Sequence, residues 1–133
     1  MRTLFITLLA VALTTGVSAQ IVEKEFTSPD TVAAETVYYP LGAKVKTTSG
    51  VVIFTGVKTD ITDSLSTLVI QGANQSDFSD AADMTGTGVL AATTTNGAFQ
   101  LYVTSPYYLY YRLKATAASG DSVKIVGLKG VYK

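Results

Sequence analysis

Between Ala98 and Lys114 the chain alternates with a period of two. Phe99, Leu101 and Val103 fall on one side, with Gln100, Tyr102 and Thr104 on the other. After Ser105-Pro106 the pattern resumes: Leu109, Tyr111, Leu113 and Ala115 take turns with Tyr108, Tyr110, Arg112 and Lys114. Successive side chains of a strand point to opposite faces, so this spacing predicts two strands with one buried and one solvated side. The chemistry agrees, because Thr, Val and Tyr dominate the chain beyond residue 20, and β-branched and aromatic side chains suit a pleated, half-buried surface.

Further strands are expected at residues 21–26, 35–39, 43–47, 51–59, 66–71 and 121–129, the last extended by Val131 and Tyr132. Turn residues separate them: Ser28-Pro29-Asp30, Pro40-Leu41-Gly42, Ser49-Gly50, Ser105-Pro106 and Ser119-Gly120-Asp121. Ser105-Pro106 reads as one hairpin and Ala118-Ser119-Gly120-Asp121 as another. Seven to eight short strands at this spacing predict an all-β fold, an antiparallel β-sandwich of jelly-roll or immunoglobulin-like type. Residues 72–88 (GANQSDFSDAADMTGTG) keep neither period and read as a long loop, with one helical turn around Asp80 to Met84.

The first nineteen residues have a different character. Arg2 precedes the apolar run Leu4 to Leu13, and Val17-Ser18-Ala19 supplies the small-x-small pattern of a signal-peptidase site. Ten apolar residues fall short of the roughly 20 that a helix needs to cross a bilayer. Residues 1–19 are therefore expected to be a signal peptide, with contact to a membrane only if the segment stays uncleaved as an anchor. Residues 20–133 form a single β-sandwich domain, large enough to bury a core without staples. The expected location is secreted or extracytoplasmic. Cysteine is absent, so the domain must hold through its core and ladders.

Absences narrow the chemistry. Without histidine or cysteine, neither a Ser-His-Asp nor a Cys-His site can be built. The usual nitrogen and sulfur ligands of zinc, copper and haem are missing too, and no enzymatic activity is expected. Beyond the signal, Arg112 and eight lysines stand against ten acidic residues, a net charge of about −1. No basic patch follows a phosphate backbone, which excludes nucleic acid as a partner. Asp77, Asp80 and Asp83 are the one oxygen-rich set, and calcium is the hard cation that such a set would take. Their spacing departs from the alternating acids of a helix–loop–helix calcium site. Gly86-Thr87-Gly88-Val89-Leu90-Ala91 fits the G-x-G-x-x-A pattern but lacks the preceding strand and following helix of a dinucleotide site.

Tyr107, Tyr108, Tyr110 and Tyr111 crowd the start of one strand, and Arg112 and Lys114 continue its outward side. Outward tyrosines beside long cations make a platform for a sugar ring or a protein partner. Tyr108, Tyr110 and Arg112, with Phe78 from the loop, are the candidate binding residues.

The C-terminal half, about residues 65–133, also carries a recurring order. Leu68-Val69-Ile70-Gln71-Gly72-Ala73-Asn74 is followed by a polar loop with Phe78. Pro106-Tyr107-Tyr108-Leu109-Tyr110-Tyr111-Arg112-Leu113-Lys114 comes next, and Ser122-Val123-Lys124-Ile125-Val126-Gly127 closes it. This order resembles small β-sandwich virion proteins of bacteriophages, where the loop aromatic is often tryptophan. The resemblance implies a structural role in a particle through sheet packing and self-association, with virion surface as a location. The export segment sits badly with parts that assemble in the cytoplasm.

The expected function is that of a non-enzymatic extracytoplasmic or virion structural protein, assembling through β-sheet surfaces as a homo-oligomer or with other structural proteins. Lys44, Lys46 and Lys58 are expected to guard some strand edges. The alternative is a secreted carbohydrate-binding or adhesion module that meets a surface glycan through its tyrosine face and the 72–88 loop.

Overall fold

The computed structural model describes residues 21–27, 31–33, 36–45, 50–59, 65–84, 87–89, 97–104 and 106–133. Residues 1–19, expected as a signal peptide, lie outside them, as do Lys46 and the G-x-G-x-x-A tract apart from residues 87–89. The described residues hold ten strands: β1 (Val22–Phe26), β2 (Thr31–Ala33), β3 (Thr36–Pro40), β4 (Val51–Lys58), β5 (Leu65–Ala73), β6 (Ala82–Met84), β7 (Thr87–Val89), β8 (Gly97–Thr104), β9 (Tyr110–Ala117) and β10 (Ser122–Tyr132). β2, β6 and β7 have three residues each and exceed the seven or eight strands expected. Met84 and its neighbours extend as β6 where a helical turn was expected, because the exposed ladder of β5 at Ile70–Gly72 is there to pair with.

A larger sheet runs β1-β10-β4-β8-β7, with β2 also paired to β10, and a smaller one runs β3-β9-β5-β6. Every ladder is antiparallel. The ladders nest: β1 pairs with β10, β3 with β9, β4 with β8, and β5 with β6 at the centre. One long hairpin wrapped into two layers in this way, closed by β10–β4 and β9–β5, is a jelly roll. The immunoglobulin alternative, with sheet orders A-B-E-D and C-F-G, does not match this order.

Both expected hairpins are corrected by that topology. β8 lies in the larger sheet and β9 in the smaller, so the connection between them crosses from one layer to the other and is not a hairpin. Ala118–Asp121 does form a tight turn, with the Asp121 amide donating to the Ala118 carbonyl at 2.9 Å and Gly120 at φ 85°. It too carries the chain across, from β9 to β10.

The core between the layers takes Phe54 from β4, Leu68 and Ile70 from β5, Leu101 from β8, Leu113 from β9 and Ile125 from β10, all buried. The alternation read from sequence holds in β8 and β9, whose inward residues Phe99, Leu101, Val103, Tyr111, Leu113 and Ala115 are all buried. β10 keeps its phase through a bulge. Gly127, at φ 58°, and Leu128 together oppose Gly56, so Ile125 and Leu128 both face inward despite a spacing of three. The edge partner of β10 changes at the same place, from β2 along Ser122–Lys124 to β1 along Leu128–Tyr132.

Close approach sets Gly130. A Cβ there would lie 2.8 Å from Phe54 Cε1 and 3.0 Å from Leu41 Cδ1. Lys58 corrects another expectation: it is buried on β4, a strand paired on both sides, and guards no edge.

Candidate functional site

The outer face of the smaller sheet gathers chemistry from four strands. Register places Pro40, Arg112, Gln71 and Asp83 in one row across β3, β9, β5 and β6. Tyr38 and Lys114 share the next row. Since Leu113 and Ala115 point into the core, Arg112 and Lys114 point out, as the sequence predicted.

Arg112 is the centre of the group. Its Nε donates to Gln71 Oε1 at 2.7 Å. Gln71 Nε2 in turn donates to Asp83 Oδ1 in a short hydrogen bond, and Lys114 Nζ lies 3.5 Å from Asp83 Oδ2. The two acid oxygens thus take different donors, and the Gln71 amide has a single sensible orientation. Gln71 is only 7% exposed, so its two side-chain bonds are what make its burial tolerable. The Lys114–Asp83 pair is partly open to water, and a pair of that kind contributes at most about 1 kcal/mol.

Two rings cover the guanidinium. Its carbon lies 3.8 Å over the Tyr38 ring and 4.4 Å over the Phe78 ring. Such contacts contribute about 0.5–2 kcal/mol each, more where water is excluded. Among the described residues, no carboxylate lies within ion-pair distance of Arg112. Asp83, the acid of its own row, is separated from it by Gln71.

Phe78 reaches this position at a conformational cost. It is the one non-glycine residue with positive φ, 60°, among the described residues. An L-residue there is strained by roughly 1–3 kcal/mol, which persists only where the surroundings impose it. The surroundings are the 74–81 turn. The Phe78 amide donates to Gln75 O at 3.1 Å, and the Ala81 amide to Phe78 O at 3.2 Å. Asp80 accepts from the amides of Asn74 and Gln75 at 3.0 and 3.1 Å, and Asp77 accepts from the Ser79 amide at 3.0 Å. That amide bond holds the Asp77 carboxyl below the usual carboxylate range.

These partners bear on the calcium expectation. Asp80 and Asp77 are occupied in stitching the turn, and Asp83 belongs to the Arg112 row. No group of three or more acidic residues that could hold a metal ion occurs among the described residues.

The tyrosines divide. Tyr110 is half-buried on the same side of β9 as Arg112. Tyr108, expected beside it, belongs elsewhere. Residues 106–109 precede β9 and do not continue its alternation, because the Leu109 amide bonds to Ala73 O and the Tyr108 amide to Tyr111 Oη at 2.8 Å. The Tyr108 ring closes on Gly72, where a Cβ would meet Tyr108 Cδ2 at 2.2 Å, and packs edge-on to Tyr111. It seals the end of the core. Burial pushes the Tyr111 phenol up to about 12 and Tyr108 upward as well.

The structure therefore brings Arg112 and Phe78 together, adds Tyr38 and Gln71, and removes Tyr108 from the platform. Alternation alone had a signal for Gln71, which lies on the outward side of β5. Nothing local marks Tyr38, which reaches Arg112 through the pairing of β3 with β9. No known protein family, curated protein or solved structure matches this chain.

Proposed function

We propose that this protein is a non-enzymatic structural subunit of an extracytoplasmic or virion assembly, and that it associates with further copies of itself through a sheet face. The outer face of the larger sheet carries the proposal. β4 carries apolar residues on both sides: Val52 and Phe54 fill the core above buried Lys58, while Val51, Ile53 and Val57 face outward beside Thr55. Val131, Ile53 and Tyr102 form one outward row across β10, β4 and β8, and Val126 and Val57 pair in another. A strand apolar on both sides is the pattern of a sheet covered on both faces. At about 4.8 Å between strands and 3.3 Å per residue, β1, β10, β4 and β8 present about 500 Å². A face-to-face pair would bury about 1,000 Å², at the threshold of about 1,000 Å² expected of a biological interface. Between the two apolar rows runs a polar one, Glu25, Lys129, Thr55 and Gln100, and Lys129 pairs with Glu23 on the edge strand β1.

Light scattering coupled to size-exclusion chromatography tests this over a range of concentrations. A dimer or larger species is expected, reduced to a monomer with an unchanged circular-dichroism spectrum by Ile53→Lys. A wild-type protein that stays monomeric at high concentration would overturn the proposal.

A second reading, a carbohydrate-binding or adhesion module, is favoured by one observation: the guanidinium of Arg112 lies against both the Tyr38 and the Phe78 rings. Aromatic rings beside fixed polar groups suit a sugar, and this face lies on the opposite sheet from the assembly face.

A further inference from the structure

We infer that Arg112 anchors a site for a saccharide carrying a carboxylate, on the outer face of the smaller sheet. The inference rests on the glycan reading above and is independent of the assembly proposal.

The guanidinium is fixed in three ways. Nε is tied to the buried Gln71, Gln71 is oriented by Asp83, and the Tyr38 and Phe78 rings restrict the guanidinium plane. What remains is the edge bearing the two Nη groups, and no carboxylate of the described residues occupies it. A planar fork of N–H donors held in this way matches a carboxylate with two parallel hydrogen bonds. Little side-chain freedom remains to be lost on binding. The charge balance of these two rows agrees, since Arg112 and Lys114 oppose Asp83 alone.

The strained Phe78 is a second, independent observation. A short polar residue at position 78 would suit a positive φ better. The phenylalanine gives a ring over Arg112 instead. Strain retained in a turn whose backbone is already held by Asp77 and Asp80 is accounted for by what the ring does at its tip.

The sugar part of the inference comes from what flanks the fork. Tyr38 is 43% exposed, so its ring offers surface to the C–H face of a pyranose. The Asp83 side chain, 51% exposed, and Lys114 stand close enough to each other to meet hydroxyl groups. A phosphate backbone would need a row of cations, and this face carries two.

The test is a titration of the ¹⁵N-labelled full chain, followed by NMR. Sodium glucuronate should shift the Arg112 Nε–Hε and Gln71 side-chain signals and saturate. Glucose and sodium acetate should each bind at least about tenfold more weakly. Arg112→Lys keeps the charge but loses the fork, and should weaken glucuronate by about tenfold or more. Phe78→Asn should weaken it while leaving the melting temperature unchanged or higher. Glucose shifting the same signals as strongly as glucuronate would overturn the carboxylate and keep the glycan reading. No shift with any sugar would overturn both. A peptide with a free C-terminus binding more tightly than glucuronate would overturn the sugar. Phe78→Asn that destabilises the fold yet binds normally would make the stack structural and overturn the part given to Phe78.

Discussion

Gly130→Ala offers the sharpest test of the packing. The added methyl would sit 2.8 and 3.2 Å from two carbons of the Phe54 ring and 3.0 Å from Leu41 Cδ1. Carbon pairs settle near 3.5–4.0 Å, so ring and leucine must retreat by roughly 0.5–1 Å. Neither has room, because Phe54 is fully buried, Leu41 is 2% exposed and the Phe54 ring already packs on Phe26. The backbone cannot yield either, since Gly130 is paired to Lys24 on one side and Phe54 on the other. Overpacking of this kind costs about 1–3 kcal/mol. Stiffening the unfolded chain returns about 0.4–1 kcal/mol. The net loss expected is about 1–2 kcal/mol, or roughly 5–10 °C in Tm for a domain of this size. Thermal melting followed by circular dichroism measures it. Phe54→Leu shortens the offending ring, so Gly130→Ala should cost less in that background, with a coupling of about 1 kcal/mol. A Gly130→Ala protein that melts higher than wild type, or strict additivity in the double mutant, would refute the argument.

Gln71→Met removes both hydrogen bonds of the buried amide and leaves Arg112 Nε without its acceptor; urea denaturation should show a loss of about 1.5–3 kcal/mol. The Tyr111 phenol is raised to about 12 in the fold from 10.0, so its contribution is complete below pH 10 and is lost as pH climbs from 10 to 12. Its ceiling is about 2.7 kcal/mol. Urea midpoints across that range should fall less steeply in Tyr111→Phe, and equal slopes would discount Tyr111. A chelator should leave the melting temperature unchanged, because Asp77, Asp80 and Asp83 are already satisfied by amides, Gln71 and Lys114; a lower midpoint would restore calcium to the loop.

What was legible in the sequence was what is local. Alternation placed Arg112 outside and Leu113 inside, because two-residue periodicity is a property of any strand that has one buried face. The turns at Ser105-Pro106 and Ala118–Asp121 were legible as reversals, but a reversal does not say which sheet receives the next strand. That is settled by the ladders β4–β8 and β5–β9, whose partners lie far apart along the chain. The three-residue strand β6 has no pattern long enough to detect, and it extends because β5 offers it a ladder. Tyr108 was misplaced for a related reason: its alternation with Tyr110 is a coincidence of composition ahead of the strand, where hydrogen bonds to Ala73 and Tyr111 set the backbone. Phe78 stood out through the resemblance, as the aromatic of that loop, whereas its partner Tyr38 had no such signal beside Tyr39.

The nesting of the ladders also governs the order of events in time. Val22, near the start of the described chain, is registered against Tyr132, next to its end, and β10 is the strand that both β1 and β4 need. A chain emerging from a ribosome can close the β5–β6 turn early, but the larger sheet has no centre until β10 arrives. Pairings this remote along the chain favour slow folding, in milliseconds to seconds. The locking step of the larger sheet is therefore reserved for β10. Loss of residues 122–133 should leave an unfolded chain rather than a smaller domain.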